Sequence, residues 1–91
     1  MKTLTVEQLK KCAFSQQCHV NGGSKFSSTT ATNEEYGLSI YTRTNGSPDY
    51  KIKVKELSII GKPNQYISLL GESPDFAGFV EKYNAYQKAK Q

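Results

Sequence analysis

Tryptophan is absent from this chain, and arginine and histidine occur once each, as Arg43 and His19. A single arginine excludes a multi-arginine bidentate grip of the kind that reads guanine or phosphate specifically, so a bound nucleic acid would be read along its backbone. No apolar run approaches the length of a membrane span, and in "MKTLTVEQLKK" the charges resume before any signal-type apolar region can form. The expectation is a soluble, cytoplasmic protein with no membrane association. Cysteine is limited to Cys12 and Cys18. Without a secretory signal these two are expected as reduced thiols rather than as a disulfide.

The same scarcity argues against most chemistry. Cys12, Cys18 and His19 suggest zinc, but C-x5-C-H matches no recognised knuckle, and no other Cys or His exists to complete a four-ligand set. No metal site is expected. Cys18 and His19 are sequence neighbours, which seldom orient their side chains together as nucleophile and base, and no third positioning group is evident. "NGGSK" lacks the spacing of a phosphate-binding loop. The acids Glu34, Glu35, Asp49, Glu56, Glu72, Asp75 and Glu81 form no pair that sequence alone brings together as general acid and base. These absences point away from an enzyme and from any cofactor.

What is present suits one folded domain spanning residues 1–91, with 36% hydrophobic residues, six Tyr, four Phe and a net charge of +4. Thr5 and Gln8 have the spacing of a capping box, and Leu4 and Leu9 that of a hydrophobic staple, which predicts a helix from Val6 to about Ser15. Residues 15–35, rich in Gly, Ser, Thr, Asn and Gln, read as a long polar loop or a weak edge hairpin turning at Asn21-Gly22. Leu38 and Ile40 alternate with Ser39, Tyr41 and Arg43, and "NGSPD" turns the chain into a return strand from Tyr50. "GKPN" turns it again into a strand from Tyr66 to Leu70. Ser73-Pro74-Asp75 has the form of a helix start, followed by Phe76, Phe79, Val80 and Tyr83 at helical spacing.

The fold class read from this order is α+β: a helix, a three-stranded antiparallel meander and a second helix, with both helices on one face of the sheet. The order of elements is similar to that of double-stranded-RNA-binding domains. In this chain "SPDFAGF" stands where that family has a lysine-rich start to its last helix, so the similarity is one of topology.

The stretch "DYKIKVKEL" alternates Tyr50, Ile52 and Val54 with Lys51, Lys53 and Lys55. With the apolar set turned to the helices, period two gathers Ser39, Tyr41, Arg43, Lys51, Lys53 and Lys55 on the opposite face, with Tyr66 able to join them. The simplest hairpin register sets Thr44 across from Tyr50, Arg43 across from Lys51 and Tyr41 across from Lys53. The apolar phase reverses after Val54, which calls for a bulge near Lys55-Glu56. Basic residues interleaved with tyrosines suit a polyanion, because lysines neutralise phosphates and rings stack on exposed bases.

The function expected is therefore a non-catalytic module that binds the backbone of RNA or DNA through Tyr41, Arg43, Lys51, Lys53, Lys55 and Tyr66. Two alternatives stand beside it. One is a small inhibitor of the phage or mobile-element kind, acting by contact on a host nuclease or defence complex and including recognition of an acidic protein surface. The other is a metal-independent ribonuclease using His19, Tyr41 and Arg43. The edge strands also leave room for a homodimer.

Overall fold

The computed structural model describes residues 3–71 and 74–90. The elements follow as α1 (Val6–Lys11), β1 (Ser15–Asn21), β2 (Phe26–Asn33), β3 (Leu38–Asn45), β4 (Ile52–Ile59), β5 (Lys62–Ser68) and α2 (Phe76–Ala89). Each strand pairs antiparallel with the next, giving a five-stranded meander in the order β1-β2-β3-β4-β5. The α+β class agrees with the sequence reading, but the sheet has five strands where three were expected. The extra hairpin also separates the chain from the element order of double-stranded-RNA-binding domains.

That hairpin comes from the Ser/Thr-rich stretch. Apolar alternation is missing there because neither face of β1 is covered, and all seven of its residues are exposed. Cross-strand hydrogen bonding and β-branched Thr29, Thr30 and Thr32 support the ladder in place of a buried face. The turn closes with the Gly22 N–H donating to the Phe26 carbonyl at 2.8 Å.

At the start of α1 the capping box forms in full. The Gln8 N–H donates to Thr5 Oγ1 at 3.1 Å, and the Thr5 N–H donates to Gln8 Oε1 at 2.9 Å. The helix stops at Lys11 rather than near Ser15, because Cys12 turns extended with ψ 134° to lead into β1. At α2 the expected Ser73 cap lies outside the described residues. Asp75, expected inside the first turn, is itself the cap, accepting from the Gly78 N–H at 2.9 Å.

Leu4 and Leu9 from the α1 region, Leu38, Leu57 and Ile59 from the sheet, and Phe79, Val80 and Tyr83 from α2 make up the core. Ile40, Ile67, Leu69 and Phe76 pack at its margin. Both helices therefore lie over one end of one sheet face. Asn84 ties the N-terminal segment to α2, accepting from the Leu4 N–H at 2.8 Å and donating to the Leu4 carbonyl at 2.9 Å. Tyr83 has no exposed surface and donates its hydroxyl to the Tyr36 carbonyl, which fastens α2 to the β2–β3 turn.

Burial raises the Tyr83 phenol above the ordinary tyrosine range, against the pull of a Gln87 hydrogen bond, with the neighbouring Tyr36 and Cys12 adding to the rise. A raised folded-state value means that the native state holds this proton more tightly than the unfolded chain. The stabilisation is complete below the ordinary tyrosine range and is lost as pH rises through the folded value. Tyr83→Phe should cost about 1 kcal/mol at neutral pH through the lost hydrogen bond. In urea titrations at rising pH, the gap between wild type and variant should narrow in the alkaline range. A constant gap would show that the phenol does not titrate with unfolding.

Candidate functional site

The strand register sorts the side chains onto two faces. Paired residues share a face and alternate along each strand. On the face away from the helices lie Val20, Ser28, Arg43 and Val54 in one row, Cys18, Thr30, Tyr41, Glu56 and Ser68 in the next, and Thr32, Ser39, Ser58 and Tyr66 in a third. A 3.0 Å contact between the hydroxyls of Ser39 and Ser58 fits that assignment. On the helix side, Ile40, Leu57 and Ile67 sit under the helices, while His19, Thr29, Thr42 and Lys55 form a row beyond them.

This register corrects the expected lysine face. Thr44 pairs with Ile52, Arg43 with Val54 and Tyr41 with Glu56, in place of Tyr50, Lys51 and Lys53. The β3–β4 connection is longer than a tight turn and closes between Asn45 and Lys51, whose carbonyl accepts from the Asn45 N–H at 3.0 Å. The register then shifts between Arg43 and Thr44, leaving Lys53 as the bulged residue between Ile52 and Val54. The phase reversal seen in the sequence is thus resolved at Lys53, not at Lys55-Glu56. Val54 turns to the open face and Lys55 to the helix side. The lysines consequently share an end of the sheet rather than a face.

That end is the one the helices do not reach. The β1–β2 and β3–β4 turns meet there, with the Gly46 N–H donating to the Lys25 carbonyl at 3.0 Å. Gly46 is buried, and a Cβ on it would collide with the Ser24 carbonyl. Only glycine allows the two turns this close. Across residues 22–26 and 43–55 the cations are Lys25, Arg43, Lys51, Lys53 and Lys55, and Asp49 is the one acid. The Arg43 guanidinium lies 4.9 Å from the centroid of the Phe26 ring, a cation–π contact that holds its fork in place without using its donors.

Tyr50 was expected on a strand facing inward. It occupies the closing turn with φ 49°, left-handed backbone that costs a non-glycine residue about 1 kcal/mol, and 52% of its surface is exposed. Of the six residues singled out by sequence, Arg43, Lys51, Lys53 and Lys55 surround this end. Tyr41 stands one row back on the open face, and Tyr66 two rows back. Lys25, Phe26 and Tyr50 were missed. The Asn21-Gly22 turn signal was available for Lys25, but nothing in the sequence shows that the two turns touch.

The groups considered for catalysis are dispersed. His19 lies on the helix-side face, its Nδ1 3.0 Å from Thr29 Oγ1, while Tyr41 and Arg43 lie on the open face, so the sheet separates the ribonuclease trio. Both thiols are free. Burial, then the Glu35 charge, raises the Cys12 thiol, which disfavours the thiolate a nucleophile needs. Cys12 borders an apolar groove of about 270 Å³ between α1 and the sheet, lined also by Leu9, Ile40, Leu57 and Phe76. Among the described residues no cluster of three or more His, Cys, Asp or Glu is arranged to hold a metal ion, and no helix is long and apolar enough to cross a membrane. Comparison with protein-family models, with curated proteins and with solved structures finds no match in any of the three.

Gly46→Ala should force the two turns apart. The expected cost is about 1–3 kcal/mol in urea denaturation, with amide shift changes concentrated at residues 24–26 and 45–51 and little change around Tyr83. Unchanged stability would mean that the turns are not held in contact.

Proposed function

We propose that this protein is a non-catalytic binding module that engages the phosphate backbone of RNA or DNA with the helix-free end of its sheet. The observation that carries the reading is the contact between the two turns at Gly46 and Lys25, which brings Lys25 to the end of the sheet where the β3–β4 hairpin carries Arg43, Lys51, Lys53 and Lys55. Grouped lysines gain from phosphate through counterion release, and the grouping itself carries mutual repulsion that a polyanion relieves. Tyr50 supports the same reading: an exposed ring held on strained backbone at a charged tip is suited to stacking on an unpaired base. A homodimer belongs to this reading as well, since two basic ends would bind one polyanion more tightly than one.

A second reading has its own observation. On the open face Val20, Tyr41 and Tyr66 expose 46%, 36% and 52% of their surfaces, and Arg43 and Glu56 are the charged members of the three rows. Such a face suits a protein partner, as in a small inhibitor acting by contact.

Fluorescence anisotropy with labelled single- and double-stranded RNA and DNA, across a salt series, separates the two. If about four cations engage a duplex, the log–log slope should be about −3.6. Lys51→Glu with Lys53→Glu should remove binding, whereas Lys82→Glu on α2 should leave it unchanged. Tyr50→Gly should raise stability by about 1 kcal/mol yet weaken single-strand binding about tenfold. Absence of binding at low salt would overturn the polyanion reading and favour the protein-partner one.

A further inference from the structure

The two edges of the sheet are protected differently. β5 carries Lys62 and Pro63 in its sequence, and its ladder with β4 is irregular between Ser58 and Ile59. Charge, proline and irregularity are the usual means by which an edge strand is kept from pairing with another chain. β1 reads SQQCHVN, with no lysine, arginine, acid or proline, and all seven residues are exposed. Its one interruption is the register shift between Gln16 and Cys18, which leaves Cys18–Asn21 as regular strand.

The hydrogen-bond phase shows which backbone groups this edge offers. The Gly22 N–H donates to the Phe26 carbonyl, so the pairs two and four residues back, Val20 with Ser28 and Cys18 with Thr30, are the hydrogen-bonded ones. His19 and Asn21 alternate with them and direct their N–H and C=O groups away from the sheet. We propose that these groups pair with β1 of a second copy, antiparallel about a two-fold axis near His19, joining the two sheets into one. This specifies the surface for the self-association named above and does not depend on nucleic-acid binding.

Self-pairing in this sense is complementary. About an axis at His19, Cys18 of one copy meets Val20 of the other on the open face, and the reverse pair repeats the contact. Gln17 of one copy meets Asn21 of the other: Gln17 Nε2 already donates to Glu34 Oε1 at 3.2 Å and Asn21 Oδ1 already accepts from the Gly23 N–H at 2.9 Å, so Gln17 Oε1 can accept from Asn21 Nδ2 across the pair. The antiparallel sense also settles the electrostatics. β1 runs from the helix end toward the basic end, so reversing the second strand places the two basic ends at opposite extremities of the joined sheet. About an axis at His19, Gly22 of one copy lies beside Gln16 of the other, so the two turns are six residues or about 20 Å apart along the strands, more than a Debye length. A parallel pairing would bring them side by side.

The test is light scattering over a concentration series under reducing conditions, combined with amide hydrogen exchange. Wild type should approach twice the 10.1 kDa chain mass with rising concentration. The His19 and Asn21 amides should exchange more slowly as it does, while those of Cys18 and Val20, already bonded to β2, stay constant. Val20→Lys, at an exposed position, and His19→Pro, which removes an outward N–H, should each scatter as a single chain with an unchanged circular dichroism spectrum. A single-chain mass for wild type at millimolar concentration would overturn the proposal. A dimer that persists in a folded Val20→Lys variant would overturn it too, by assigning the interface elsewhere. Both outcomes are read without nucleic acid, so neither bears on the polyanion reading.

Discussion

Phe79, Val80 and Tyr83 pack onto Leu38, Leu57 and Ile59, and this contact is where sheet and helices are joined. The apolar residues of the sheet are concentrated at one end, in the first half of β3 and the second half of β4, which the antiparallel pairing sets side by side. A helix can bury its stripe only where it finds apolar partners, so α2 and the short α1 settle there. The other end of the same strands mixes Ser, Thr, Asn, Lys and Arg43 with Val20, Phe26, Ile52 and Val54, apolar residues that are exposed or only half-buried, and so offers no comparable burial. Its inner strands pair their backbone within the ladder and turns, and the outward groups of edge strand β1 face water, which lets the sheet extend past its core without burying unpaired groups.

Elements whose signals are local were legible in the sequence. The capping box at Thr5 and Gln8, the apolar stripe of α2 and the alternation in β3 each depend on residues within a turn or two of one another. What was lost depended on contacts distant in the chain. β1 and β2 have no buried face to impose a period of two, so their composition left a polar loop and a weak edge hairpin equally open, and only the pairing with β3 selects the hairpin. The bulge was inferred from the phase of Ile52, Val54, Leu57 and Ile59, yet those residues fit a shift at Lys53 as well as one at Lys55. Only the Asn45–Lys51 closure selects between them.

That one difference reorganises the candidate site. With the shift before Val54, successive lysines no longer fall on alternate positions of one uninterrupted strand, and a flat basic face becomes a basic end. The change matters physically. A face of lysines directly opposite an arginine would carry a repulsion built into every rung. At the end of the sheet the same charges project into solvent in several directions, where water and salt screen them in the free protein and a polyanion can collect them.

The division of the molecule also explains why the two proposals can coexist. The core holds α1, α2 and the neighbouring half of the sheet together without help from the β1–β2 and β3–β4 turns or from β1. Tyr50 can remain in a left-handed conformation, and β1 can keep an open row of backbone donors and acceptors, because neither is needed to bury the core. Strain and unpaired edges persist only where the rest of the structure over-determines the fold. Here that over-determination comes from the helix end, which is the region of the chain where the candidate binding end and the bare edge strand contribute no buried side chain.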